Sequence, residues 1–172
     1  MSINQFSASW SQVEDRIHFS FNTIDKELFQ FWLTRVVTRS LLDSAQITIE
    51  QDLSNFHNER SSKLISEFQK EGLKGRINFE EAFEGGRNTP LGENPILVSA
   101  IQIELVEQAA TISMTLVNNQ MVRFGLTCAQ LQALGLLLER LAIQANWNIT
   151  HQEIGENDGP KRPLINTPPQ VH

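Results

Sequence analysis

Residues 29–34 read FQFWLT and residues 122–127 read VRFGLT. Both end in Phe-x-Leu-Thr, and both pass from strand-like alternation into a helical pattern. Phe29, Phe31 and Leu33 share one face of a period-2 segment, whereas from Arg35 onward Val37, Leu41 and Ala45 recur every fourth residue. Thr34 stands where the period changes, and there its hydroxyl can accept from a free N–H of the first helical turn. Thr127 holds the same place and forms, with Gln130, a T-x-x-Q capping box. An offset of 93 positions sets Leu33 on Leu126, Phe31 on Phe124, Thr34 on Thr127 and Phe29 on Val122. The same offset sets Trp10 on Ile103, Phe19 on Ile112, Phe21 on Met114 and Leu41 on Leu134. The inward phase runs through three strands and a helix without a gap. The pattern therefore predicts two β-β-β-α units.

Around these junctions the remaining elements follow from periodicity. Strands are expected at 6–10 (FSASW), 16–22 (RIHFSFN) and 28–33, where Ile17, Phe19 and Phe21 face inward and His18 and Ser20 outward. A helix follows over 35–51, its apolar stripe widened by Val36 and Leu42, its solvated face carrying Arg35, Arg39 and Asp43. The β-branched run ITI at 47–49 weakens its last turns. A second helix is expected over 54–71, with Leu64, Ile65 and Phe68 buried and Gly72 and Gly75 as its stop. Residues 72–95 read as a long connection with one short helical turn at NFEEAF. Strands resume at 96–105, 110–117 and 121–126, followed by a helix over 128–146 with Leu131, Leu134, Leu138 and Leu141 at helical spacing. The Pro- and Gly-rich stretch 155–172 reads as a disordered tail.

The expected architecture is α+β: one globular domain over 1–154, with antiparallel sheet and helices packed on it. Pseudo-repeats at 3–51 and 96–147 flank a helical and loop insert at 52–95. Each junction threonine is expected to fold its helix back over the sheet face it has just left. A unit of three strands and a helix buries its sheet poorly alone, so the two are expected to pack together or share a sheet.

Bulk properties narrow the function classes. Of 172 residues 40% are apolar and 20% charged, a globular balance. Fourteen basic residues stand against 20 acidic ones, for a net charge of −6. That balance argues against nonspecific nucleic-acid binding, in which cationic surface displaces counterions. The single cysteine, Cys128, rules out an internal disulfide and fits a reducing compartment. MSINQFSASW has neither a basic n-region nor an apolar h-region, and no apolar run approaches a bilayer span. A cytoplasmic protein without membrane contact is the expectation.

The stretch INQFSASW, DRIHFSFNT and LFQFWLTRVVTRSLL resembles a family of short uncharacterised bacterial proteins, in which strand pairs run into an F-W-L-T-R-x-x-T-x-x-L-L helix. The resemblance covers most of residues 3–147 and implies a bacterial origin and no particular chemistry. A sheet followed by a helix, twice over, is also similar in outline to PUR and whirly-type single-stranded nucleic-acid binders. Those repeats usually carry four strands where three are legible here, and likeness of fold licenses no function by itself.

Candidate chemistry is sparse. His18 lies near Glu14, Asp15 and Arg16, but a solvent-facing strand histidine accounts for it better than acid–base catalysis. His57 with Glu59 and His151 with Glu153 have an H-x-E spacing, which on a helix puts the two side chains on different faces and makes a poor metal clamp. Cys128 sits in a first helical turn, where the dipole can depress a thiol pKa. No base or oxyanion site accompanies it, and a small residue at that position is the better reading. Gly85 and Gly86 match no phosphate-binding motif and read as loop punctuation. Lys63, Lys70, Lys74 and Arg76 are interleaved with Glu59, Glu67 and Glu71, as on a solvated helix face. Leu28 and Trp32 lie on the strand face opposite Phe31 and Leu33. Such outward residues can stack bases, seal an oligomer interface, or lie under the second helix. The sequence thus points to a non-catalytic binding or assembly protein, a homodimer or a partner of another protein, with Leu28, Trp32, Arg35 and Arg39 as its candidate surface. No catalytic, cofactor or metal residue is assigned. Single-stranded nucleic-acid binding through the sheet face is the alternative.

Overall fold

The structure is a computed structural model that describes Met1 and residues 3–54, 65–66, 69, 72, 83–107 and 109–149. Its elements run β1 (Ile3–Ser11), β2 (Arg16–Thr23), β3 (Leu28–Leu33), α1 (Arg35–Ser54), β4 (Ile96–Val106), β5 (Ala109–Leu116), β6 (Met121–Thr127) and α2 (Cys128–Gln144). The period-2 segments form the strands they predict. Helix α1 continues through the ITI run to Ser54, with Thr48 and Ile49 buried. Of the expected second helix, Ile65, Ser66, Gln69 and Gly72 are helical, so Gly72 does not stop it. Leu64, Phe68, residues 78–82 of the NFEEAF turn, His57, Glu59, His151, Glu153, the basic cluster and the 155–172 tail lie outside the described residues.

All six strands share one sheet in sequence order, β1 to β6. Four neighbouring pairs are antiparallel, but β3 and β4 run parallel, with Phe31 beside Ile96 and Trp32 beside Leu97. The sheet is therefore mixed, not purely antiparallel as expected. The connection from α1 through residue 95 is long enough to return the chain for a parallel strand, which a short hairpin cannot do.

The sheet curls strongly. In a flat sheet β2 and β6, four strand spacings apart, would be about 19 Å from each other. Yet the rings of Phe21 on β2 and Phe124 on β6 meet at 4.7 Å between centroids. Gly125 N on β6 donates to Met1 O, just ahead of β1, at 3.3 Å, bringing the two outer strands together at one end. Inside the curl lie Ile17, Phe19, Phe21, Phe31, Leu33, Ile112, Met114, Phe124 and Leu126, all buried. Phe21 also stacks on Phe29 at 5.0 Å, so the aromatic cluster ties both halves of the sheet into one core.

Helix α2 folds back over β6, the strand it leaves, but α1 moves on across the sheet. Helix α1 packs chiefly on β4 and on α2. Helix α2 reaches β1, and just beyond it the buried Trp147 donates its indole N–H to Asp15 Oδ1 in the β1–β2 turn at 2.9 Å. Each helix begins as expected. Thr34 Oγ1 accepts from Val37 N, and Thr127 with Gln130 closes a full capping box. Val36, expected in the apolar stripe of α1, is instead 74% exposed, because Val37, Leu41, Leu42 and Ala45 already fill the buried face.

Candidate binding surfaces

On its convex side the sheet shows rows of cross-strand neighbours. Ser9, His18 and Trp32 form one row, Ser7, Ser20 and Gln30 the next, and Gln5, Asn22 and Leu28 a third. His18 is half-buried rather than solvent-facing. Its ring meets Trp32 at 5.1 Å, and its Nε2 lies 3.3 Å from Ser20 Oγ. Burial lowers the His18 pKa below its ordinary value, and a hydrogen bond with Gln30 offsets this only in part. The carboxylates near His18 in sequence are engaged elsewhere, since Asp15 accepts from Trp147 and Glu14 pairs with Arg16 at 3.6 Å.

Part of this face is held down by the segment before β4. Asn22 Nδ2 donates to Glu84 O, and Glu84 N donates to Gln5 Oε1 at 3.1 Å. The chain then runs beside β3, with Leu28 N donating to Asn88 O and Arg87 N to Lys26 O, both at 2.7 Å. Gln30 Nε2 donates to Glu93 O at 2.8 Å. Gly86 sits so close that a Cβ there would lie 2.6 Å from Leu28 N. The loop glycine is required by this contact, a role that a sequence motif search has no means of seeing.

Leu28 and Trp32 share the convex face of β3, both half-buried, Leu28 where the 84–88 segment crosses. Arg35 and Arg39 are exposed one turn apart on α1. The four residues do not form one continuous surface: two are partly covered on the sheet and two are open on the helix. Over β4 to β6 the convex face carries the polar rows Gln102–Ser113–Arg123 and Glu104–Thr111–Gly125, flanked by rows that end in the exposed Met121 and begin in the exposed Val106. Among the described residues it carries neither a basic and aromatic stripe nor a flat apolar patch.

Cys128 begins α2 beside Asp52 near the end of α1. Burial first, then the hydrogen bond and negative charge of Asp52, push the thiol up to about 11. Such a shift favours the thiol over the thiolate that a nucleophile requires. Between the helices a cleft lined by Leu42, Ala45, Ile49, Leu131, Gly135 and Leu136 holds about 20 Å³, room for one water. Gln132, on its rim, donates to Ser66 O, from the stretch between α1 and β4, at 3.2 Å. No group of three metal-ligating side chains occurs among the described residues. No described helix is long and apolar enough to cross a membrane. In comparisons with known proteins, no family model, curated protein or solved structure matches the chain.

Proposed function

We propose that this chain is a non-catalytic, cytoplasmic bacterial assembly protein, built of two β-β-β-α units, that acts through protein–protein contacts as a homodimer. The two-unit reading is supported by the element starts: Ile3 and Ile96, Arg16 and Ala109, Leu28 and Met121, Arg35 and Cys128 are each 93 positions apart. Lys26 and Asn119, also 93 apart, both take positive φ, at 60° and 64°. Leu42 and Gly135 stand at the same offset, and the helices meet there, a Cβ on Gly135 falling 3.9 Å from Leu42 Cδ2.

One observation carries the homodimer. Val36 and Ile47 are 74% and 56% exposed, and eleven residues, or three helical turns, bring them onto one outer face of α1. Arg39 and Asp43 lie between them. Two copies of α1 paired antiparallel about a two-fold axis between positions 41 and 42 set Val36 against the partner's Ile47. The same pairing brings Arg39 beside the partner's Asp43, a self-complementary arrangement. This surface includes Arg35 and Arg39 of the sequence-based candidates, with Leu28 and Trp32 serving the fold. Light scattering after size exclusion tests it: the wild type should run as a dimer, and Val36→Asp with Ile47→Asp as a folded monomer. A monomeric wild type, or a dimer unchanged by both substitutions, defeats the reading. Salt-sensitive retention of a mixed-sequence oligonucleotide would put the single-stranded nucleic-acid alternative in its place.

A further inference from the structure

The segment 84–93 closes an edge of β3 that β4 leaves open, because β4 joins β3 only at Phe31 and Trp32. Glu27 bridges Asn88 in parallel, Leu28 N and Lys26 O are bonded by that segment, and Gln30 reaches Glu93 O. The corresponding edge of β6, 93 positions on, consists of Asn119, Met121 and Arg123. Gly125 N points away from β5, toward Met1 O. Backbone direction alternates along an antiparallel strand, so the N–H and C=O groups of Arg123 and Met121 also point away from β5. Among the described residues nothing bonds them there, and Met121 is 53% exposed with Arg123 exposed beside it.

We propose that this β6 edge docks an extended segment of a partner protein, running parallel to β6, that carries a glycine and, several residues on, an acidic side chain. The inference rests on the two-unit reading above. The glycine follows from Gly86, where the first edge leaves no space for a Cβ. The acid follows from Arg123, which stands where Gln30 reaches the Glu93 main chain and offers a full charge in its place. A second copy of β6 is the wrong occupant, since its sequence MVRFGLT offers Arg123 no carboxylate. Main-chain bonds would supply affinity and Arg123 selectivity, as in other strand additions.

The probe is a synthetic peptide of residues 83–94, FEGGRNTPLGEN, added to the full chain at about 1 mM. Amide hydrogen exchange is then read residue by residue. Met121 and Arg123 amides should slow by about tenfold or more. Arg123→Glu should abolish the slowing and Arg123→Lys should keep most of it. Unchanged exchange at both amides overturns the proposal, as does slowing that survives Arg123→Glu. Running the Val36→Asp, Ile47→Asp variant in parallel separates the two ideas. Protection in a wild-type monomer sinks the homodimer and leaves the edge, whereas a dimer without protection does the reverse.

Discussion

At Gly86 a methyl group would stand 2.6 Å from Leu28 N, 2.7 Å from Leu28 Cβ and 2.8 Å from Lys26 O. Backbone atoms cannot swing aside as a side-chain tip can, so Gly86→Ala should destabilise by about 1–3 kcal/mol. Gly135, in the middle of α2, is the opposite case. Its added Cβ would meet only Leu42 Cδ2, at an ordinary 3.9 Å. Replacing a mid-helix glycine there should stabilise by about 0.5–1 kcal/mol, because glycine loses more backbone freedom on folding. Urea titrations of the two alanine variants should move the midpoint in opposite directions. His18 gives a prediction with a sign. Its folded pKa lies below the unfolded value of 6.5, so near pH 6 the unfolded chain holds more protons. Stability is complete above that value and declines as pH falls through it toward the folded pKa. Thermal melts at pH 7.5 and pH 5.5 should show a larger loss for the wild type than for His18→Gln.

Among the elements, the strand-to-helix junctions show how far a short motif reaches. Thr127 Oγ1 accepts from Gln130 N at 3.2 Å, and Thr127 N donates in return to Gln130 Oε1 at 2.9 Å. Thr34 has only the first of these, at 3.3 Å, since Val37 cannot answer it. Thr127→Ala should therefore cost about 1–2 kcal/mol and Thr34→Ala less, as chemical denaturation would show. The junctions, all six strands and both long helices were legible because a period of two changing to a period near four leaves its mark in apolar spacing. The parallel contact of β3 with β4 was not, because the register of two strands joined through a long insert has no local signature. Nor was the burial of His18. Its strand pattern places it outward, and only Trp32 and Gln30 from the next strand show that outward is partly covered. Val36 failed for a related reason: apolar residues adjoining a helical stripe need not belong to it. Of the candidate surface, Arg35 and Arg39 were readable as a solvated face, while the open edge of β6 becomes visible only beside the filled edge of β3.

For the whole molecule, the curl of the sheet makes every part depend on distant parts. Trp147 lies beyond the last helix, yet it is 2% exposed within the core cluster and its indole is bonded to Asp15. Trp147→Ala should cost about 3–5 kcal/mol, the range for deleting a buried tryptophan. The loss should appear as one cooperative transition at lower denaturant, since a single cluster holds both halves. A separate early transition confined to the C-terminal half would contradict a shared core.

The bond between Asp15 and Trp147 joins residues 132 positions apart. Ribosomes deliver roughly 5–20 residues per second, so the first hairpin waits on the order of ten seconds for the tryptophan that will cap its turn. Until β4 to β6 follow, β1, β2 and β3 present Phe19, Phe21 and Phe31 with no second half to cover them. Contacts this remote in sequence also slow refolding, because the loop must close before it is rewarded. The nascent chain is thus at its stickiest between the third strand and the last helix, and a holding chaperone would have its best opportunity there.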